Sequence, residues 1–261
     1  MSSSESTVLW VLWITYGTFY FCRNNLSVAL PGIQAELGYS KTQLGTILMS
    51  LKLAYGLGQF INGQLAERVS PKKLLGVGML CSAALNVLFG LETAFYFLLF
   101  TWACNGYVQA LGWPPTMRVA ANWFPPAKRG VAIGIIGTGY QVCGALTFAI
   151  AGWAAETFGW RGALYVPAIL LFVSGLHTLL VLQEKPVHPA NESESLAASA
   201  GGVGFNVDAP GKNSVATNLF LTLSNPALWL VAVALCLLDA CRYGFTDWGV
   251  THLKEVQGAS V

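Results

Sequence analysis

Seven stretches of the chain are apolar for the length of a membrane crossing, separated mostly by short polar segments. They run roughly from Val8 to Leu30, Leu44 to Ala66, Lys72 to Leu91, Phe95 to Met117, Arg129 to Trp153, Trp160 to Leu182 and Ala227 to Val250. A helix needs about 20 residues to cross the hydrocarbon core, so the pattern predicts seven transmembrane helices. After the sixth the composition changes. Residues 183–218 are rich in Ser, Ala, Gly, Asn and Glu with little apolar periodicity, which predicts a flexible linker. Asn191-Glu192-Ser193 within it has the form of a glycosylation sequon. The predicted organisation is a six-span bundle over 1–182, a linker over 183–218, and the start of a second bundle over 219–261. One repeat followed by the opening of another is the plan of transporters built from two six-span halves, with the substrate at the midplane between them. The chain is therefore expected to be a fragment of a protein of about twelve spans. A complete seven-span receptor is the competing reading, but a retinal protein needs a lysine in span seven, which has none before Lys254.

Composition agrees with a membrane location. Hydrophobic residues make up 54% and charged residues 10% of the chain, with a mean hydropathy of +0.56; soluble domains carry about 25% charged residues. The net charge of +2 and the lack of a basic tract exclude nucleic acid as a partner. The first apolar stretch has neither a basic leader nor a small-residue cleavage site, so it reads as a retained span. Cys22, Cys81, Cys104, Cys143, Cys236 and Cys241 all lie in apolar stretches without metal-ligand spacing and read as packing residues. His177, His188 and His252 are scattered, so neither a metal nor a cofactor is expected. Lys and Arg fix the orientation. Alternate loops hold Arg68, Lys72, Lys73, Arg118, Lys128, Arg129, Lys185 and Lys212, and the other side only Lys41, Arg161 and Lys254. The N-terminus and linker are expected in the cytoplasm, and the protein in a bacterial inner membrane.

Chemistry enters through charges inside the spans. Arg23 is the ionisable residue of span one and Arg242 lies in span seven. A charge at membrane depth costs about 2.5 kcal/mol or more and marks a protein interior or a water-filled path. Two guanidiniums in repeat-equivalent spans point to an anion. Guanidinium offers planar, bidentate donors that fit phosphate oxygens and stays charged at physiological pH. Each arginine also has a plainer reading, as a helix cap or a carboxylate partner; Asp239 is three residues before Arg242 on the same face. Tyr16, Tyr20 and Arg23 share one face of span one, and Lys52, Tyr55 and Gln59 form a stripe on span two. Lys52 reads either as a cavity cation or as a snorkelling surface residue. Span five carries Gly130, Gly134, Gly137, Gly139 and Gly144, which predicts close helix approach.

Gly63-Gln64-Leu65-Ala66-Glu67-Arg68-Val69-Ser70-Pro71-Lys72-Lys73, between spans two and three, resembles the loop signature of the major facilitator superfamily. Glu67 stands for the usual Asp, and Ser70-Pro71 for the usual Gly-Arg. Glu67, Arg68, Lys72 and Lys73 are thereby candidates for a gating loop whose charges pair in one state and part in the other. Tyr20-Phe21-Cys22-Arg23-Asn24-Asn25, Gly112-Trp113-Pro114-Pro115, Arg161-Gly162-Ala163-Leu164-Tyr165-Val166-Pro167 and Arg242-Tyr243-Gly244-Phe245-Thr246-Asp247-Trp248 resemble the organophosphate:phosphate antiporter family. The resemblance implies an all-α membrane fold: a major-facilitator six-helix bundle plus the first helix of a second. It also implies exchange of a sugar phosphate or glycerol phosphate for inorganic phosphate, by a protein that is a monomer in the lipid bilayer and not an enzyme. Arg23 and Arg242 fall where that family binds phosphate, and Tyr16, Tyr20 and Tyr55 match pocket tyrosines. Gln59 stands where the family's transporters carry a lysine, Tyr140 where a glycerol-phosphate transporter has a histidine, and Asp239 where a tyrosine is expected. These departures turn the expectation away from glycerol 3-phosphate itself, and Lys52 becomes the candidate replacement cation. A proton-coupled symporter using Asp239, and a membrane sensor of the same ligand, are the rival functions.

Overall fold

The computed structural model describes residues 3–186 and 224–258. Most of the linker, its sequon, His188 and Lys212 lie outside the described residues. Among the described residues the fold is all helix, in nine elements: α1 (Ser3–Thr18), α2 (Phe21–Leu37), α3 (Lys41–Arg68), α4 (Pro71–Leu91), α5 (Phe95–Gln109), α6 (Trp113–Trp123), α7 (Pro126–Phe158), α8 (Gly162–Val181) and α9 (Pro226–Gln257). Five of them, α3, α4, α7, α8 and α9, are each long and apolar enough to cross a membrane.

The two expected spans without such a helix are each broken in two, which corrects the reading of spans one and four as continuous helices. Span one divides into α1 and α2 at Phe19-Tyr20, and Cys22 just beyond has non-helical angles of φ −103° and ψ 21°. Span four divides into α5 and α6 at Ala110-Leu111-Gly112. Trp113-Pro114-Pro115 follows at once, and prolines lack the N–H that would continue the ladder. Elsewhere the ends follow local signals. Ser40 and Gln43 form a capping box at α3, Gly38 closes α2 in the left-handed region at φ 69°, and Ser70 caps α4 ahead of Pro71.

The helices bury two large apolar clusters. One joins α1, α2, α4, α6, α7 and α8 around Leu12, Met79, Val119 and Leu171; the other joins α2, α3, α4, α5, α7 and α8 around Leu30, Ile47, Trp102 and Leu164. Between them lies a polar layer. Ser82 and Asn86 on α4, and Asn105 and Gln109 on α5, are buried and turned onto the break in span one. Asn105 donates to the Cys22 carbonyl at 2.9 Å, Gln109 to the Phe19 carbonyl at 3.1 Å, and Thr147 of α7 to the Tyr20 carbonyl at 3.3 Å. A break frees backbone carbonyls, which in an apolar interior must find donors. The side-chain amides supply them.

Both ends of the bundle are laced. At one end Glu5 pairs with Lys128 at 3.9 Å, Trp123 donates to the Gln183 carbonyl at 2.8 Å, and Arg118 donates to the carbonyls of Ala66 and Val69. At the other, Glu36 accepts from Arg161 at 2.8 Å and from Trp160 at 2.7 Å, which holds its carboxyl below the ordinary range. Here α9 joins the bundle. Lys41 meets Glu255 at 2.5 Å, and Trp248 and Val250 pack on the α2–α3 cluster. The opposite half of α9, residues 226–238, is exposed.

Candidate anion-binding site

The break in span one places Arg23 in the first turn of α2, on the side facing α3 and α9. Its guanidinium is held between two phenol rings, 4.6 Å from the Tyr20 centroid and 4.3 Å from that of Tyr55 on α3. Such stacking satisfies the charge in part while leaving the N–H edge free. Nε is buried without a hydrogen-bond partner, and among the described residues no ion pair includes Arg23. A buried charge-bearing donor without an acceptor is costly unless something supplies one.

Arg242 reaches the same region from α9. Its guanidinium lies 6.0 Å from the Tyr140 ring of α7 and 4.9 Å from that of Tyr243, and it meets Asp239 at 3.1 Å. Tyr140 stacks on Tyr20 with centroids 5.1 Å apart. The two arginines thus flank one stacked tyrosine pair. Tyr16 closes the aromatic wall, 6.0 Å from Tyr20, 6.2 Å from Tyr140 and 4.8 Å from Trp113. Trp113 is delivered by the break in span four.

Lys52 also reaches this region, and its charge is matched. It forms an ion pair with Asp247 of α9, and its ammonium lies 4.3 Å from the Tyr243 ring. Lys52, the candidate replacement cation, is thus paired with a carboxylate of α9. Gln59, one turn beyond Tyr55, is partly buried. The site residues that the sequence reading passed over are Tyr243, Asp247, Trp113 and the amides behind the break. Tyr243 and Asp247 lie in a stretch the sequence reading quoted, but a contact between positions 52 and 247 leaves no local signal.

The loop between α3 and α4 carries the gating-loop candidates. Glu67, Arg68 and Lys73 are exposed, and among the described residues no ion pair includes them or Lys72. Instead Glu184, after α8, accepts from the Ser70 hydroxyl and from the Lys72 backbone N–H at 2.9 Å.

A family model described as Major Facilitator Superfamily matches residues 12–261. The chain belongs to the Major Facilitator Superfamily. Within that superfamily it is similar to a probable hexose phosphate transport protein of Chlamydia trachomatis, at 26% identity over 97% of this chain and 58% of that protein. It is similar also to the glycerol-3-phosphate transporter of Bacillus subtilis (28%, covering 95% and 57%) and to the membrane sensor protein UhpC of Escherichia coli (25%, covering 97% and 58%). These are the relatives that the organophosphate:phosphate antiporter resemblance implied. The chain spans a little over half the length of these relatives. A bacterial homologue of the human lysosomal transporter Spinster, solved in an inward-facing, unoccupied conformation, shares the fold with a TM-score of 0.79 at 18% identity, over 100% of this chain and 57% of that one.

Proposed function

We propose that the protein is a secondary transporter that exchanges a phosphorylated small organic anion, of the sugar phosphate or glycerol phosphate type, for inorganic phosphate by alternating access. The observation that carries this reading is the pair Arg23 and Arg242, on elements from the two ends of the chain, flanking one stacked pair of tyrosines. An anion held by both guanidiniums bridges α2 and α9 and draws them together. Reorientation is then easier with the pocket filled, which is the condition for exchange. In this scheme residues 1–182 form the first bundle, 183–218 a cytoplasmic linker and 219–261 the start of the second bundle. The N-terminus faces the cytoplasm of a bacterial inner-membrane protein, monomeric at full length. The deciding experiment uses proteoliposomes containing the full-length protein and loaded with radiolabelled phosphate. External hexose phosphate or glycerol phosphate should accelerate loss of label, and label retained against every ester would end the exchange proposal.

Similarity to a sensor at much the same identity as to the transporters favours one second reading, a membrane receptor for the same ligand. Ester binding to the purified protein without any counterflow selects it.

A further inference from the structure

Asp239 sits on the face of α9 that carries Arg242, and its Oδ1 lies 3.1 Å from the guanidinium. The carboxylate therefore occupies the donors that the proposed anion would use. The other charged groups of the pocket are Arg23 from α2, Lys52 from α3 and Asp247 from α9. The remaining titratable groups are the phenols of Tyr16, Tyr20, Tyr55, Tyr140 and Tyr243. Lys52 is neutralised by Asp247, and Arg242 by Asp239. Among the described residues Arg23 alone of these cations is without an acid partner.

We infer that Asp239 is a specificity-determining residue, an internal counter-ion that sets this pocket to accept a singly charged oxyanion in preference to a dianion. The inference rests on the reading of Arg23 and Arg242 as the anion site. A monoanion balances the charge on Arg23 and leaves the Asp239–Arg242 pair in place or shares its guanidinium. A dianion must face the carboxylate across the same guanidinium, and the Coulomb repulsion between them works against it more than against a monoanion. The class selected comprises phosphate monoanions, phosphodiesters and sulfate monoesters. A neutral residue at position 239 would raise the net charge by one and shift the preference to doubly charged phosphate.

Methyl sulfate and methyl phosphate have nearly the same shape, and at mildly alkaline pH they carry one and two negative charges. Their affinities for the full-length protein in detergent, measured by isothermal titration calorimetry, read the charge preference directly. The wild-type protein should bind methyl sulfate at least as tightly as methyl phosphate. Asp239→Asn and Asp239→Tyr should each move the affinity ratio toward methyl phosphate, on the order of tenfold to a hundredfold, while Asp239→Glu keeps the wild-type ratio. An unchanged ratio in both neutral variants, with Arg242→Gln abolishing binding of both probes, overturns the inference and leaves the arginine site standing. If both probes bind Arg23→Gln and Arg242→Gln protein normally, the arginine site itself fails, and the inference with it.

Discussion

Arg23 is placed by chemistry that a lysine cannot reproduce. Its planar group lies between the Tyr20 and Tyr55 rings, with Nε buried and without a hydrogen-bond partner. A lysine keeps the charge but loses the fork and much of the stacking. Arg23→Lys should weaken phosphate binding by about 2 kcal/mol, the worth of a hydrogen bond to a charged group, read by calorimetry on the purified protein. Lys52 follows a different logic. Because it is paired with Asp247, Lys52→Gln leaves a carboxylate unmatched beside the anion and should weaken binding. Lys52→Gln with Asp247→Asn restores neutrality and should recover most of the loss, with a coupling energy of about 0.5–3 kcal/mol in a double-mutant cycle. Additive effects of the two changes would mean that the pair does not act in the pocket. The sequence showed Arg23, Arg242 and Lys52 as charges in apolar spans, because burying a charge is costly wherever the chain goes. It did not show which of them keeps a partner.

At the scale of elements, the break in span one is what aims Arg23, and Asn105 and Gln109 hold the break. Asn105→Leu removes a buried donor from the Cys22 carbonyl and a buried acceptor from the Ser82 hydroxyl. It should cost about 1–3 kcal/mol of stability, seen as a lowered unfolding temperature, together with weaker phosphate binding. Unchanged binding in a destabilised variant would confine these amides to a structural role. Span five offers a second contrast. Its glycines were expected to allow close approach together, but only some do. A Cβ on Gly139 would come 2.8 Å from the Trp13 carbonyl, whereas Gly130, Gly134 and Gly137 face open space. Gly139→Ala should destabilise the α1–α7 contact, and Gly134→Ala should be tolerated, as thermal unfolding of the two proteins will show. Glycine content is written in the sequence, but which glycine meets a backbone is set by how α7 is rotated against α1.

For the whole molecule, the ion pairs Lys41–Glu255 and Lys52–Asp247 and the apolar contact of Trp248 tie α9 to the first bundle along one half of its length. If the two bundles rock about the site during exchange, that junction must open once per cycle. Cysteines at Lys41 and Glu255 should form a disulfide under mild oxidation, and the cross-linked protein should bind phosphate yet fail to exchange it until reduced. Full exchange by the cross-linked protein would exclude opening at this end.

The sequence by itself determined the membrane class, the spans and most of their ends, and the presence of arginines in spans one and seven. Each follows from local rules: apolar length, caps, prolines and the cost of intramembrane charge. Only the tertiary structure decided that span one is broken, since that break is stable only where Asn105, Gln109 and Thr147 arrive from distant helices to satisfy it; the break in span four has a local mark in Pro114-Pro115. The tertiary structure alone brought Asp247 onto Lys52 and Tyr140 between the two arginines, because contacts across more than a hundred residues depend on helix rotation and packing, which no periodicity encodes.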